Sequence, residues 1–208
     1  LIKEILGPGI VIYKNVFSDT NNLIKRYEDV IKKTETLSWS DAEIYKDGAI
    51  TRYSTRICQD FIYDRPSENK NDEATTELRL LYDNIVGVIK NCLNDYQKDY
   101  PVSLEYFEAL NIVKYSPNNF FNYHTDDGKN NRYTVSTVGY LNDNFEGGEL
   151  HFKFFNVSYK PESGDLAIFP SSYIYAHAAY PIKSGTKYIV ALMTDISKRG
   201  QKIDLISQ

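Results

Sequence analysis

His124 and Asp126 stand one residue apart in Tyr123-His124-Thr125-Asp126, and His177 lies far downstream in Tyr175-Ala176-His177-Ala178-Ala179. In an extended segment residues i and i+2 point to the same face, so His124 and Asp126 can reach one cation together. A third ligand from a distant strand, His177, completes a two-His, one-carboxylate face and leaves the other coordination positions open, the arrangement of a non-haem iron(II) site. Open positions mean chemistry rather than scaffolding. A lone H-x-D is also met as a solvated His beside a solvated Asp, so the assignment needs the surrounding pattern.

That pattern is a series of short strands and turns. Thr134–Leu141 is rich in β-branched and aromatic residues, Asn142-Asp143-Asn144 gives a turn, and Gly147-Gly148 precedes a strand over Glu149–Phe154. Val157–Lys160, a turn at Pro161–Asp165, Leu166–Phe169, the segment bearing His177, and a last strand Lys187–Met193 follow. Short strands separated by Gly, Pro and Asn turns predict a sandwich or jelly roll, in which early and late strands meet at the mouth.

At these residues the chain resembles the prolyl 4-hydroxylase type of Fe(II)/2-oxoglutarate-dependent dioxygenase. The family's ordered motifs stand here as His124-Thr125-Asp126, Tyr140-Leu141-Asn142, Gly147-Gly148-Glu149, Pro161-Glu162-Ser163-Gly164-Asp165, and His177 followed ten positions later by Lys187. The likeness is strong over roughly residues 105–195 and weak before them. It implies an α+β fold with a double-stranded β-helix (jelly-roll) core and N-terminal helices packed on one sheet. It also implies His124, Asp126 and His177 as catalytic iron ligands, and Fe(II), 2-oxoglutarate and O2 as cofactor and co-substrates, with ascorbate as reductant. Lys187 would pair with the distal carboxylate of 2-oxoglutarate, because a buried dianion needs a fixed cation to offset its lost hydration. Tyr140 and Tyr115 stand where relatives carry co-substrate-contacting tyrosines, and a hydroxyl donates without adding charge. Arg52-Tyr53-Ser54 is similar to an R-x-S element beside the relatives' substrate strand, which makes Arg52 and Tyr53 candidate substrate contacts; a solvated edge strand is the alternative, and is favoured for Arg56.

Two positions depart from the pattern. Leu150 follows Gly147-Gly148-Glu149 where many collagen-type members carry a Thr, and Met193 stands where many carry a Trp, so pocket shape and substrate detail are open there. The intact Asp126 predicts hydroxylation, since halogenating relatives replace this carboxylate by a small residue.

The rest of the chain must position these groups. At 208 residues the expectation is one oxygenase domain: a support layer and substrate lip over 1–103, a catalytic core over 104–195 and a tail over 196–208. An opening strand is expected over Ile10–Phe17, then a helix capped by Ser18 or Asp19 with Leu23, Ile24, Tyr27, Val30 and Ile31 on one face. After a polar connection over 64–74, Leu78, Leu81, Tyr82, Ile85, Val88, Ile89, Cys92, Leu93 and Tyr96 mark the core stripe of a second helix. A strand follows over Leu104–Tyr115, and Phe120, Phe121 and Tyr123 are placed to wall the metal site. The third histidine, His151, is expected at a rim rather than on the metal.

Composition narrows the partners. The net charge of −4 argues against a polyanion, hence against nucleic acid. The two cysteines, Cys58 and Cys92, make neither a disulfide framework nor a thiolate metal motif. No transmembrane run or signal peptide is visible, and a cytoplasmic location is expected; since the sequence opens on Leu1, a removed targeting segment stays open. The resemblance points to a proline-containing peptide or protein as substrate. The alternatives are the same chemistry on a free amino acid, another side chain or a nucleic acid, and a non-catalytic jelly-roll binding module.

Overall fold

The computed structural model describes residues 1–46, 49–51, 55–128, 132–195 and 201–202. Two antiparallel sheets and two helices organise them. The ten-stranded sheet runs in the order Lys3–Gly7, Ile10–Tyr13, Leu166–Pro170, Val135–Tyr140, Lys187–Asp195, Leu110–Tyr115, Gln59–Tyr63, Ser40–Asp41, with Tyr106–Phe107 and Gln201–Lys202 attached at the far end of the Lys187–Asp195 strand. The five-stranded sheet runs Val157–Tyr159, Leu150–Phe152, His177–Ala179, Phe120–His124, Arg56–Ile57. The mostly antiparallel layout agrees with the sandwich expectation.

Why the central strands read as apolar runs follows from what covers each face. Helices α1 (Thr20–Lys33) and α2 (Glu73–Asp99) share one core with Val11, Tyr13, Ile112, Val190 and Leu192. The alternate residues Ile10, Ile12, Val113 and Ile189 join a second core with Phe152 of the smaller sheet. Strand side chains alternate between faces, so a strand buried on both loses its polar alternation. The ring of Phe152 meets that of Phe169 edge-on with centroids 4.9 Å apart, tying the small sheet to the large one.

Both helices carry the expected stripes. Leu23, Tyr27, Val30 and Ile31 of α1 are buried, as are Leu78, Leu81, Tyr82, Ile85, Ile89, Cys92, Leu93 and Tyr96 of α2; Ile24 and Val88 are half-buried against the same core. Asp72 caps α2, its side chain accepting from the Thr75 amide at 2.9 Å. Among the described residues no helix is long and apolar enough to cross a membrane.

Three local expectations need correction. The opening strand ends at Tyr13, not Phe17, because Asn15 takes a left-handed φ of 51° and turns the chain. Asp19 does occupy the N-cap of α1, but in the same left-handed region (φ 51°), and its side chain makes no capping bond; its carbonyl accepts from the Asn22 and Leu23 amides instead. The strand expected over Leu104–Tyr115 is two pieces, Tyr106–Phe107 and Leu110–Tyr115. Both pair with the same long strand, the Glu108 amide bonding the Met193 carbonyl where they separate.

The turn Pro161–Asp165 anchors the first strands of the chain. Gly164 sits at φ 90° with its Cα close to the Phe17 carbonyl and Asn15, where a Cβ would stand 2.8 Å from that oxygen. The buried Asp165 accepts from the Lys14 ammonium, the Tyr159 hydroxyl and, at 2.7 Å, the Asn15 amide. These contacts fix the Ile10–Tyr13 strand against Leu166–Pro170.

Candidate metal and co-substrate site

His124 is the last residue of the strand Phe120–His124, and His177 is the first of His177–Ala179. The two are cross-strand partners, with a register irregularity between Phe121 and His124. Asp126 lies beyond the strand end, so it does not share a regular strand face with His124 as the H-x-D spacing suggests. Its carboxylate nevertheless reaches both imidazoles: Oδ1 is 3.5 Å from His124 Nε2 and Oδ2 is 3.8 Å from His177 Nε2. One ligand atom from each of the three residues falls within a mutual 4.8 Å, a group that could hold a metal ion.

The surroundings fix which atoms face inward. His124 Nδ1 bonds the Asn122 carbonyl at 2.8 Å and His177 Nδ1 bonds the Tyr175 carbonyl at 3.1 Å. A carbonyl only accepts, so each Nδ1 carries a proton and each Nε2 is the nitrogen turned toward Asp126. Burial pushes the His177 imidazole down to about 4, against the pull of Asp126, so it is neutral near pH 7. Burial also opposes ionisation of Asp126, but His177, His124 and the Ser136 hydroxyl outweigh it and hold the carboxyl well below its usual range. Ser136 Oγ donates to Asp126 Oδ2 at 2.6 Å and itself meets Ser171 Oγ at 2.7 Å. Two imidazole nitrogens and one carboxylate fit a divalent cation with open positions. Phe121 stacks on the His124 ring at 3.4 Å, while Phe169 and Phe152 flank His177 at 4.7 and 5.8 Å.

These residues line a cavity of about 730 Å³ that also takes in Tyr115, Tyr140, Leu150 and Lys187. Lys187 opens the strand Lys187–Asp195 and is only 2% exposed. Its Nζ donates to the Gly148 carbonyl at 2.8 Å and lies 4.7 Å from the centre of the Tyr115 ring. Tyr115 is its register partner on the neighbouring strand. No carboxylate forms an ion pair with Lys187 among the described residues, and burial pushes its ammonium down to about 8. A buried cation held by one carbonyl and a ring face lacks the partner that its lost hydration demands. An anionic group entering the cavity would supply it. Tyr115 and Tyr140 are both buried, and burial holds both phenols protonated well above the usual tyrosine range, as donors for such a group.

The remaining candidates divide. Arg52 and Tyr53 lie outside the described residues. His151 is at the rim and outside the ligand cluster: its Nδ1 bonds the Tyr123 hydroxyl at 2.6 Å and its ring stacks on Tyr180. Phe121 and Tyr123 both line the cavity as expected, Tyr123 with 43% of its surface exposed. Arg56 overturns its solvated reading. Its side chain is 13% exposed, pairs with Asp60 at 3.2 Å and covers the Phe121 ring at 5.0 Å, inside the cavity. The sequence signal was available in the i, i+4 pair of opposite charges, but that spacing reads as a surface pair until the fold covers it. Ser136 and Ser171 were missed for a different reason: neither a serine within a β-branched run nor one just past a strand end carries a sign of what it touches.

Comparison with known proteins agrees with this geometry. Residues 110–194 match the model of the 2OG-Fe(II) oxygenase superfamily. A curated Acanthamoeba polyphaga mimivirus protein named "Putative prolyl 4-hydroxylase" is 26% identical over 125 residues, 50% of this chain and 52% of that protein. The matched stretch thus spans about half of the curated relative's length. The structure of a viral collagen prolyl hydroxylase from Paramecium Bursaria Chlorella virus-1, in a 2OG complex, superposes with a TM-score of 0.64 at 19% identity, covering 90% of this chain and 96% of that one. A Pseudomonas putida prolyl-4-hydroxylase gives 0.64 at 19% identity over 89% and 91%. A Trichoplax adhaerens prolyl hydroxylase, in complex with a hypoxia inducible factor peptide fragment, gives 0.67 at 15% over 89% and 83%. At these identities the superpositions speak for the fold alone. The ordered motifs, the family match over residues 110–194 and the curated relative together support one resemblance, to the prolyl 4-hydroxylase type of 2OG-Fe(II) oxygenase.

Proposed function

We propose that the chain is an Fe(II)/2-oxoglutarate-dependent dioxygenase that hydroxylates a peptidyl substrate, with proline as the target residue. One observation carries the reading: two imidazole Nε2 atoms and a carboxylate converge in the cavity that Lys187 also lines, a buried cation with no carboxylate ion pair among the described residues. The two sheets are taken as the halves of a double-stranded β-helix, residues 104–195 as its catalytic core and 1–103 as the layer that supports it.

In this reading His124, Asp126 and His177 hold iron(II), and Lys187 pairs with the distal carboxylate of 2-oxoglutarate while Tyr140 and Tyr115 donate hydroxyls to the same molecule. Iron and 2-oxoglutarate together supply the oxidising chemistry, in which one oxygen atom of O2 enters succinate as carbon dioxide leaves and the other enters a substrate C–H bond. The protein's own work is positioning. Ser136 orients the Asp126 carboxylate, the two Nδ1–carbonyl bonds set the imidazole planes, and the Phe121, Phe152 and Phe169 rings exclude water around the ligands. A peptide substrate is favoured by the structural likeness to a prolyl hydroxylase in complex with a peptide fragment and by the net charge of −4, which does not attract a nucleic acid.

The test is succinate release from 2-oxoglutarate with iron(II), ascorbate and air, with and without a panel of proline-containing peptides, read with mass spectrometry for a one-oxygen gain. A peptide that stimulates succinate and gains oxygen on proline supports the reading. Succinate without any oxidised peptide removes proline and keeps the oxygenase; neither product, with metal bound, leaves a binding module.

A further inference from the structure

The two histidines of the metal site are not held alike. The His177 side chain is 7% exposed and packs against Phe152 and Phe169, with ring centroids 5.8 and 4.7 Å away. The His124 side chain is 20% exposed and ends its strand at a register irregularity. Its Nδ1 donates to the Asn122 carbonyl at 2.8 Å. One hydrogen bond fixes a point on a ring and leaves the ring free to tilt about that point. Phe121 closes this freedom, its ring lying on the imidazole at 3.4 Å with 9° between the planes.

Phe121 is itself held. Arg56 is its register partner where the strands Arg56–Ile57 and Phe120–His124 pair, and the Asn122 amide bonds the Thr55 carbonyl at 2.8 Å beside them. The Arg56 guanidinium stands over the Phe121 ring, 5.0 Å from its centre, within the range of a cation–π contact, which gains strength where water is kept out. Asp60, buried on the strand Gln59–Tyr63 of the larger sheet, accepts from Arg56 Nη2 at 3.2 Å. One line of contacts therefore runs from the larger sheet through Asp60, Arg56 and Phe121 to a metal ligand on the smaller one.

We propose that Phe121 and Arg56 are positioning residues for the metal centre: Phe121 sets the tilt of the His124 imidazole, and Arg56, fixed by Asp60, holds Phe121 in place. The inference rests on the metal reading of His124, Asp126 and His177, and adds to it what keeps the more exposed ligand aimed at the cluster. Groups that orient a ligand act on metal affinity and geometry. A ring that only filled space would act on stability and leave the metal alone. Arg56 reaches the metal only through Phe121, so without that ring it has no further effect there.

The experiment titrates the metal-free protein with cobalt(II), reading affinity and the visible bands of the bound ion, with the melting temperature of the metal-free protein measured beside them. Phe121→Leu should bind cobalt(II) on the order of 10–100-fold more weakly, the range for losing a group that orients a ligand, and with shifted bands. Phe121→Tyr keeps a stacked ring and should keep both affinity and bands close to the parent's. Arg56→Ala should weaken binding about threefold in the parent protein, as for one cation–π contact, and add nothing in a Phe121→Leu background. Parent affinity and bands in Phe121→Leu overturn the inference, whatever the melting temperature does. Additive losses overturn it too, since they show Arg56 acting by another route. If Phe121→Leu does not fold, Arg56→Ala decides alone, and parent affinity with parent bands overturns the inference. Failure of the unsubstituted protein to bind cobalt(II), or binding that survives His124→Ala, removes instead the metal reading on which the inference rests.

Discussion

His124 and His177 face each other as register partners on adjacent antiparallel strands, with ring centroids 4.3 Å apart. Fifty-three positions of chain separate them (177 − 124), so the pairing of two strand ends does what no local segment could. The irregular register before His124 lets the chain leave the strand there and bring the Asp126 carboxylate within 3.5 and 3.8 Å of the two Nε2 atoms.

Removing a ligand should abolish turnover without unfolding the protein. In His124→Ala and Asp126→Ala, succinate formation is expected to fall to background while circular dichroism keeps the strand signal. Metal titration should show the loss of high-affinity iron(II) or manganese(II) binding. Normal turnover in His124→Ala would sink the metal assignment.

Ser136 offers a subtler test of the same site. Its hydroxyl is a donor to Asp126 at 2.6 Å, and removing a group that orients a ligand costs on the order of 10–100-fold in metal affinity or activity. Ser136→Ala is expected to lie in that range, with Ser136→Thr recovering part of the loss. An affinity equal to the parent's would mean that Asp126 needs no such support.

If Lys187 anchors 2-oxoglutarate as proposed, co-substrate binding depends on pH. Burial lowers its ammonium to about 8 from the ordinary 10.5, so between those values the unfolded chain binds more protons than the folded one. Stability of the ligand-free protein should therefore rise as pH climbs from about 8 toward 10.5. Binding of 2-oxoglutarate has the opposite dependence, because it needs the charged form, and its affinity should weaken above about pH 8. Lys187→Ala should raise the KM for 2-oxoglutarate far more than it disturbs melting temperature, and Lys187→Arg should flatten the alkaline fall in affinity.

His177 should make the metal-free protein acid-sensitive. Its folded value of about 4 lies below the ordinary 6.5, so between these the unfolded chain takes up the extra proton and stability falls as pH drops through the window. The depressed Asp126 acts in the same direction, its contribution being lost as pH falls further. Denaturant melts at pH 7, 5.5 and 4 check the slope; His177→Asn should lessen it.

The anchor at Asp165 predicts a change in stability rather than chemistry. Asp165→Ala leaves the Asn15 amide and the Tyr159 hydroxyl without their acceptor and Lys14 with Glu162 alone. With Lys14 partly solvated, the loss is about 2 kcal/mol, a fall of roughly 4–8 °C in melting temperature for a chain of this size. No change in melting would show that the start of the chain is held by its apolar strand alone.

Much of this molecule is written locally. The stripes of α1 and α2 follow from the 3.6-residue period, and the strands from Val135 to Asp195 follow from β-branched runs broken by Gly, Pro and Asn. The types and order of His124, Asp126, His177 and Lys187 already pointed to the chemistry proposed above, because few residue sets can bind a divalent cation and leave it open positions. What a sequence period cannot say is what lies opposite a given side chain. The opening strand was cut short by a left-handed Asn15, a backbone choice set by the fit to Asp165 rather than by propensity. Arg56 looked like a surface charge until two sheets closed over it, and Ser136 acquired meaning only from a partner 10 positions away (136 − 126). Tertiary structure decided these because a hydrogen bond depends on which atoms the fold brings within reach, and that information is held by the pairing of strands distant in the chain.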